Sequence, residues 1–101
     1  MSKISKEQSQ IYNEELLNVI ITSCSDKGLA RAFIDDVLSP SEYKDLSIRW
    51  QIVKRLVKGE KHRKISSDLK IGIGTVARGS RELADKNGGF WKMVNKMGIV
   101  K

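Results

Sequence analysis

Apolar residues recur at helical spacing through almost the whole chain, and this periodicity restricts the fold more than any other feature of the sequence. Residues three or four positions apart share one face of an α-helix, whereas every second residue shares a face of a strand. The helical spacing covers residues 7–23, 28–37 and 46–57, and no run of β-branched residues could supply a sheet. The sequence therefore predicts an all-α fold, a bundle of helices.

The first predicted helix, residues 7–23, is apolar on more than one side. Its apolar positions are Ile11, Tyr12, Leu16, Leu17, Val19, Ile20 and Ile21. Such a helix needs burial on several sides, and a chain of 101 residues is close to the size at which burying a full core alone becomes marginal. We therefore expect one domain over residues 1–101, with a second copy of the chain completing its core in a homodimer.

The third helix has the clearest start and stop signals. In "SPSE", Ser39 can cap the helix, the proline takes the first helical position, and Glu42 can reach back to the Ser39 amide. Lys58 and Gly59 follow its last apolar residue, as is typical of a helix end. Trp50 lies on the apolar face and is predicted to pack in the core rather than to stack on a ligand.

Two short helices fit between residues 60 and 84, and a last helix follows "NGG" at residues 87–89. The inward positions predicted for the two short helices are Ile65, Leu69, Ile73, Val76, Leu83 and Ala84. The last helix carries an apolar face of Phe90, Met93, Val94 and Met97. We expect this face to belong to a dimer core rather than to a cofactor site.

The stretch "KIGIGTVARGS", residues 70–80, fits two incompatible patterns. Gly72, Gly74 and Ala77 match the dinucleotide-binding pattern G-x-G-x-x-[G/A]. That pattern also requires a buried strand before it, a long helix after it and an acidic residue about twenty positions further on, and the chain offers none of these. The same letters fit the turn and second helix of a helix-turn-helix, which we assign to residues 60–84.

In this helix-turn-helix, each short segment has a packing role. Ile65 packs the first helix, Val76 anchors the second helix on it, and Ile71 fills the bend. Gly72 is an acceptable N-cap for the second helix. Lys70 stands where such turns usually place Gly or Asn, so the turn either holds a strained left-handed lysine or adopts a different conformation.

Basic residues are concentrated in one segment. Residues 49–81 hold ten Lys or Arg and two acids, a net charge of +8, whereas the rest of the chain sums to −1. A basic block this localised is typical of a protein that binds a polyanion such as nucleic acid. A solvated lysine-rich face is the alternative, and an acidic membrane surface is less favoured because the cations do not line one amphipathic helix.

No catalytic, metal-binding or membrane-spanning motif is recognisable. The single cysteine, Cys24, cannot form a disulfide within the chain, and the only histidine, His62, has no Cys or His neighbour with which to hold a metal. The densest apolar segment, residues 16–21, is too short to cross a bilayer, and no signal-peptide pattern opens the sequence. We therefore expect a cytoplasmic protein that is not an enzyme and needs no metal or cofactor.

Residues 38–83 resemble the bacterial tryptophan repressor family. The similarity runs from "LSPSE" through "RWQIVKRLVKGE" to "IGIGTVARGSREL", and "TVARGS" is its most specific part. The resemblance implies an all-helical, intertwined homodimer. It also implies a transcriptional repressor that binds a double-stranded DNA operator of tryptophan-related genes, with L-tryptophan as corepressor. The chain has one residue fewer around Lys61 and His62 than the best-known members have.

The resemblance implies a binding site for L-tryptophan. Arg49 and Arg78 match the two arginines that hold the ligand, since guanidinium planes stack on an indole and pair with a carboxylate. Gly79 matches the glycine that lets the indole lie close. Ser39 matches the hydroxyl that meets the ligand carboxylate, and the carbonyl of Leu38 receives the ammonium group.

Glu82 departs from the family pattern, because it stands where the best-known members have a serine near the ligand ammonium. Its carboxylate could pair with that ammonium, or it could pair with Arg78 four residues earlier and occlude the site. The second case predicts a constitutive DNA-binding regulator that does not bind tryptophan. Rivals of other classes are an enzyme, which a turnover dependent on His62 would indicate, and a protein-interaction or RNA-binding module.

Further residues are implied for DNA recognition. The groove-facing positions are Arg63, Ser66, Ile73, Gly74, Thr75 and Ala77. Arg63 is the best candidate for a direct guanine contact, whereas the small residues favour water-mediated contacts. The remaining cations, which would be phosphate contacts or solvated charges, are Lys54, Arg55, Lys58, Lys61 and Lys64.

Overall fold

A computed structural model describes residues 2–100, and those residues form six α-helices without a strand. The helices are α1 (Lys6–Ser23), α2 (Lys27–Val37), α3 (Pro40–Val57), α4 (His62–Leu69), α5 (Ile73–Glu82) and α6 (Gly89–Lys96). The predicted all-α fold is confirmed. The chain divides into two compact units, one ending at Tyr43 and the other beginning at Lys44, and each is described by itself. The assignment of a single domain stays a prediction.

The helix ends follow the local signals in the sequence. The Ser39 amide donates to Glu42 Oε1 at 2.8 Å, and the Glu42 amide donates to Ser39 Oγ at 3.1 Å, which is the predicted capping box. At the other end of α3, Gly59 adopts a left-handed conformation with φ 85°. The Glu60 amide then donates to the carbonyl of Arg55 at 3.1 Å, so that a helix carbonyl without an intrahelical partner is satisfied.

In the N-terminal unit, α1 leaves its apolar side chains largely uncovered. The seven apolar residues that the sequence placed on several sides of this helix are between 41 % and 61 % exposed. A hydrophobic surface of this extent on one helix is unusual for a monomeric protein. The exposure is what the predicted homodimer requires, while the dimer itself stays a prediction.

In the C-terminal unit, α3 lies between two groups of buried residues. Ile52 packs with Ile65 and Val76, which joins α3 to α4 and α5. The next residue along the helix, Val53, belongs to a second buried group. This group connects α3 to the end of α5 and to α6. The buried members of that group are Val53, Leu83 and Val94, and Trp50 packs against it as predicted. Successive residues of α3 therefore serve two separate helix contacts.

Some predicted inward positions are wrong. Ile73 is 51 % exposed, because it is the first residue of α5, at the end of the helix where Gly74 and Thr75 are exposed as well. Ala84 is also exposed, because α5 ends at Glu82 and Ala84 lies in the following turn. On α6 Val94 is buried, whereas Met93 and Met97 are 47 % and 61 % exposed, and their predicted place in a dimer core stays a prediction.

No helix within residues 2–100 combines the length and the apolar character needed to span a membrane.

Candidate ligand pocket and nucleic-acid-binding surface

The two short helices α4 and α5 are joined by a three-residue bend that contains a left-handed lysine. Lys70 has φ 56° and ψ 48°, so the strained form of the predicted turn is the one that the chain adopts. The Ile71 amide donates to the carbonyl of Ser66 at 3.1 Å, and the Ser66 hydroxyl donates to the carbonyl of Ile71 at 2.5 Å. Gly72 is the N-cap of α5, as predicted. These bonds hold the bend closed.

Packing fixes the angle between α4 and α5. Ile65 and Val76 are both fully buried, and they meet Ile52 of α3 in one cluster. Leu69 and Ile71 pack against the same cluster. The hydrophobic contacts predicted for the helix-turn-helix are therefore confirmed, and α3 forms the support on which the unit rests.

The first three residues of α5 form an exposed, uncharged tip of the helix-turn-helix. Ile73, Gly74 and Thr75 are all exposed, and nothing lies within 4 Å of a Cβ atom built on Gly74. Arg63 on α4 is exposed as well, whereas Ala77 is half-buried. Ser66 is half-buried too, and its hydroxyl already donates within the bend. Contact with DNA stays a prediction for each of these positions.

An ion-pair cluster joins the end of α3 to α4. Arg55 Nη2 lies 2.7 Å from Glu60 Oε1 and also pairs with Asp68, and Lys64 Nζ lies 2.8 Å from Asp68 Oδ2. The Arg55 side chain is only 16 % exposed. We call these four residues the ion-pair cluster. Two of the five cations predicted to contact phosphate therefore already have carboxylate partners.

The pKa values of the cluster reflect these contacts. The hydrogen bond from Arg55 lowers the pKa of the Glu60 carboxyl, and the hydrogen bonds from Lys64 and then Arg55 lower the pKa of Asp68. The hydrogen bonds to Glu60 and then to Asp68 raise the pKa of Arg55. The other three cations predicted to contact phosphate have no ion-pair partner among residues 2–100. Of these, Lys58 and Lys61 are exposed and Lys54 is half-buried.

A cavity of about 540 Å³ lies in the C-terminal unit beside α3 and α5. Its polar and charged lining comes from Asp45 and Arg49 of α3 and from Thr75, Arg78 and Glu82 of α5. Its apolar lining consists of Ile48, Ile52, Val53, Ile71 and Phe90, together with Gly79. The volume suits a small molecule, and the mixture of an apolar wall with a few charged groups is typical of a ligand site.

Three of the residues implied to bind tryptophan line this one cavity together with Glu82. Arg49 and Arg78 come from different helices and are 29 positions apart in the sequence. Leu38 and Ser39 precede α3 and belong to the N-terminal unit, so their part in the site stays a prediction. Thr75 was implied as a groove-facing residue, which stays a prediction, and the structure places it in the lining of the cavity.

Gly79 allows α5 to approach α3 closely. A Cβ atom built at this position lies 2.7 Å from Cγ2 of Ile52, which is far inside ordinary contact distance. A glycine here is therefore required by packing between the two helices. The resemblance assigned this glycine to contact with an indole, and the helix contact is a second, independent reason for it.

The four charged groups of the cavity are not paired with one another. Within residues 2–100 every ion pair belongs to the ion-pair cluster, so Arg78 and Glu82 do not form the pair that would close the cavity. Both side chains are exposed, as is Arg49. The cavity thus presents two guanidinium groups and two carboxylates beside an apolar wall.

Several lining residues were not singled out from the sequence. Asp45 lies four positions before Arg49, which places both on one face of α3, and this spacing was a usable signal. Phe90 was predicted only as a residue of a dimer core, because its place on the cavity depends on how α6 packs against α3. No group of His, Cys, Asp and Glu side chains that could hold a metal ion occurs in the part of the chain that the structure describes.

The described residues define an all-helical protein with a helix-turn-helix, in which α4, the bend and α5 form one packed unit with a cavity beside the second helix. Comparison with known proteins narrows this class. The sequence profile described as Trp repressor protein matches residues 7–98.

Individual relatives agree with that match. A Trp operon repressor homolog from Vibrio campbellii is 36 % identical over 69 residues, which cover 67 % of this chain and 69 % of that protein. A homolog of the same description from Vibrio parahaemolyticus is 36 % identical over 69 residues, covering 67 % of each chain. One from Vibrio vulnificus is 44 % identical over 52 residues, covering 50 % of this chain and 51 % of that protein. The chain belongs to the Trp repressor family, a family of transcriptional regulators and not of enzymes.

Proposed function

We propose that this protein is a homodimeric, DNA-binding transcriptional repressor whose affinity for its operator is raised by L-tryptophan. The observation that carries the proposal is the cavity beside α3 and α5, because Arg49, Arg78 and Gly79 all line it. The same helix α5 carries the exposed tip of the helix-turn-helix. The proposed ligand site and the proposed DNA-binding surface therefore share helix α5.

The chemistry of the cavity suits tryptophan. A guanidinium plane stacks on an indole face by cation–π attraction, and the same group can pair with a carboxylate. Arg49 and Arg78 supply two such planes, and the apolar wall covers the remaining indole surface. The ligand adds contacts to α3 and α5 together, and so favours one placement of the helix-turn-helix over others.

Binding of the ligand is tested by calorimetric titration of L-tryptophan into the purified protein and its variants. Arg78→Ala removes one guanidinium from the cavity and is expected to abolish binding. Arg81→Ala is the matched control, because it makes the same change on the same helix at an exposed position that does not line the cavity. Equal affinity for tryptophan in wild type and Arg78→Ala would defeat the assignment.

The proposed contact with DNA is a pair of helix-turn-helix units that enter successive major grooves about 34 Å apart on a palindromic operator. The uncovered apolar side chains of α1 support the dimer that this spacing requires. Operator selection from random double-stranded DNA, at stated salt and with or without L-tryptophan, tests the proposal. Enrichment of palindromic sites that depends on tryptophan is the expected result.

Arg63→Ala is expected to weaken operator binding by about 1–3 kcal/mol and to relax the preference at one base pair. Arg31→Ala, an exposed arginine of α2, is the control for the loss of one positive charge. Equal affinity for single-stranded competitors would favour the alternative of an RNA-binding module. A mobility-shift series in which Arg63→Ala and Arg31→Ala behave alike would remove Arg63 from the contact.

A second candidate is a constitutive regulator that binds DNA without tryptophan. The position of Glu82 on the cavity lining favours it, since an extra carboxylate there can repel a ligand carboxylate. The calorimetric titration separates the two candidates. Operator binding without any heat of tryptophan binding would select the constitutive regulator.

A further inference from the structure

We propose that Arg55 and Asp68 are positioning residues for DNA recognition: their ion pair holds α4 at one rotation against α3, and Arg55 itself makes no phosphate contact. The inference rests on the proposed function, because it takes α4 and α5 as the DNA-binding unit. It adds that an ion pair which makes no contact with DNA contributes to the choice of sequence.

The first step is the contact between α3 and α4. Ile52 of α3 packs with Ile65 of α4, and Arg55 of α3 pairs with Asp68 of α4. Arg55 is three positions after Ile52, and Asp68 is three positions after Ile65. On each helix the two contacts therefore lie on the same side, nearly one turn apart. A single contact lets a helix turn about that point, whereas two contacts fix its rotation.

The rotation of α4 matters because few other groups hold this helix. It has eight residues, of which Ile65 is the only buried one, and the half-buried Leu69 packs against the same cluster. Within residues 2–100 the pair of Arg55 and Asp68 is the only ion pair between α3 and α4. Arg63 lies on α4 and is exposed, so a turn of the helix changes where this side chain points.

The second step is the state of the Arg55 side chain, which is only 16 % exposed. Its Nε donates to Glu60 Oε1 at 2.8 Å, and its Nη2 pairs with both Glu60 and Asp68. Lys64 adds a second cation beside Asp68, so the two cations and two carboxylates of the ion-pair cluster sum to zero charge. A phosphate contact by Arg55 would replace carboxylate oxygens that are already in place, and would therefore gain little.

The third step is the sign of the effect expected from Asp68→Asn. This change removes a negative charge and releases Arg55 and Lys64 from a carboxylate, so electrostatic attraction alone predicts tighter binding to every duplex. Loss of positioning predicts weaker binding to the operator, because α4 turns and the contact proposed for Arg63 is lost. Binding to random-sequence DNA depends on charge and not on base contacts, so it is not expected to weaken.

The experiment measures two affinities of each form of the protein over a series of salt concentrations, with L-tryptophan present. One is for the operator recovered by selection, and the other is for a random-sequence duplex of equal length. The forms are wild type, Asp68→Asn, the double variant Arg55→Met/Asp68→Asn and the control Asp35→Asn. The double variant keeps the net charge of wild type, because it removes one charge of each sign.

The control removes the same charge outside the ion-pair cluster, since Asp35 is exposed on α2 and belongs to no ion pair within residues 2–100. An unfolded fraction lowers both affinities of a sample by the same factor. The ratio of the two affinities therefore reports on the folded protein, even where a variant is less stable.

Asp68→Asn and the double variant are expected to lower the ratio of operator to random-sequence affinity by at least about threefold, whereas Asp35→Asn keeps the wild-type ratio. The double variant is expected to bind the random-sequence duplex with the salt dependence of wild type. An unchanged ratio in Asp68→Asn overturns the proposal, and so does an equal fall in Asp35→Asn. A slope of log affinity against log salt that is shallower by about 0.9 in the double variant overturns it as well, because Arg55 would then contact a phosphate.

Failure of this inference is distinguishable from failure of the proposed function. Wild type that prefers the operator, with a ratio that does not respond to loss of the ion pair, overturns this inference alone. Wild type that binds both duplexes equally overturns sequence-specific DNA binding, and this inference with it.

Discussion

Replacement of Gly79 by alanine tests whether α5 lies as close to α3 as the packing indicates. A Cβ atom at Gly79 lies 2.7 Å from Ile52 Cγ2, whereas carbon atoms in favourable contact are about 3.5–4.0 Å apart. Ile52 is only 2 % exposed and belongs to the cluster that holds the helix-turn-helix, so it has little room to withdraw. We expect Gly79→Ala to force the two helices apart.

The size of the effect follows from two opposing contributions to the free energy of unfolding. Alanine in place of glycine inside a helix is favourable by up to about 1 kcal/mol. Overpacking of a filled site costs about 1–3 kcal/mol, so Gly79→Ala is expected to lose up to about 2 kcal/mol overall. Gly74→Ala is the matched control on α5, because nothing lies within 4 Å of a Cβ atom there, and it is expected to gain up to about 1 kcal/mol.

Urea unfolding followed by far-ultraviolet circular dichroism measures both variants. All samples are compared at one protein concentration, because the stability of an oligomer depends on concentration. Helix propensity contributes to both substitutions, so the difference between the two variants, about 1–3 kcal/mol, isolates the clash with Ile52. Equal free energies of unfolding for Gly79→Ala and Gly74→Ala would refute the close contact between the helices.

Three further predictions concern the C-terminal unit. The ion-pair cluster lowers the pKa values of Glu60 and Asp68 in the folded protein, so its stabilisation is present above about pH 4 and is lost as the pH falls through the lowered values. Asp68→Asn is therefore expected to unfold at less urea near neutral pH and to show a flatter pH dependence on acidification than wild type; parallel curves would contradict this. Lys70→Gly removes the cost of a left-handed lysine and is expected to raise the free energy of unfolding by about 0.5–1 kcal/mol in urea, whereas a loss would show that the turn is unstrained. Trp91 Nε1 donates a hydrogen bond of 2.8 Å to the carbonyl of Leu83. Trp91→Phe removes this bond and is expected to lower the free energy of unfolding by about 1–2 kcal/mol. An unchanged urea midpoint would show that the bond contributes nothing.

Local signals in the sequence were sufficient to place the helices. The capping box of Ser39 and Glu42 and the left-handed Gly59 are decided by residues within a few positions of one another, and both occur where predicted. The contact of Ile65 with Val76 was also predictable, because the short bend leaves the two helices only one way to bury their apolar faces. Ile73 was misplaced because periodicity alone does not tell which apolar residues at the end of a helix stay uncovered.

The contacts between distant residues could not be read from spacing. Arg55 and Asp68 are separated by 13 positions, and their pairing depends on the direction in which α4 leaves the turn after Gly59. Phe90 reaches the cavity only through the return of α6. For the two arginines of the cavity, the residues alone predicted surface or phosphate contacts, and the family resemblance was what predicted a common site.

The arrangement of α5 explains how a small ligand could control DNA binding in the function that we propose. This helix has ten residues, of which the first three are exposed and Val76 is the only buried one. Thr75, Arg78, Gly79 and Glu82 line the cavity. The place of its exposed tip therefore depends on the packing of Val76 with Ile52 and Ile65 and on the close approach of Gly79 to Ile52. A ligand that adds contacts between α3 and α5 would favour one placement of this helix, and a coupling of about 1–3 kcal/mol is comparable with a single packing contact. In the proposed function, ligand and DNA would therefore act on one helix, whose packing against α3 and α4 sets where its exposed first residues lie.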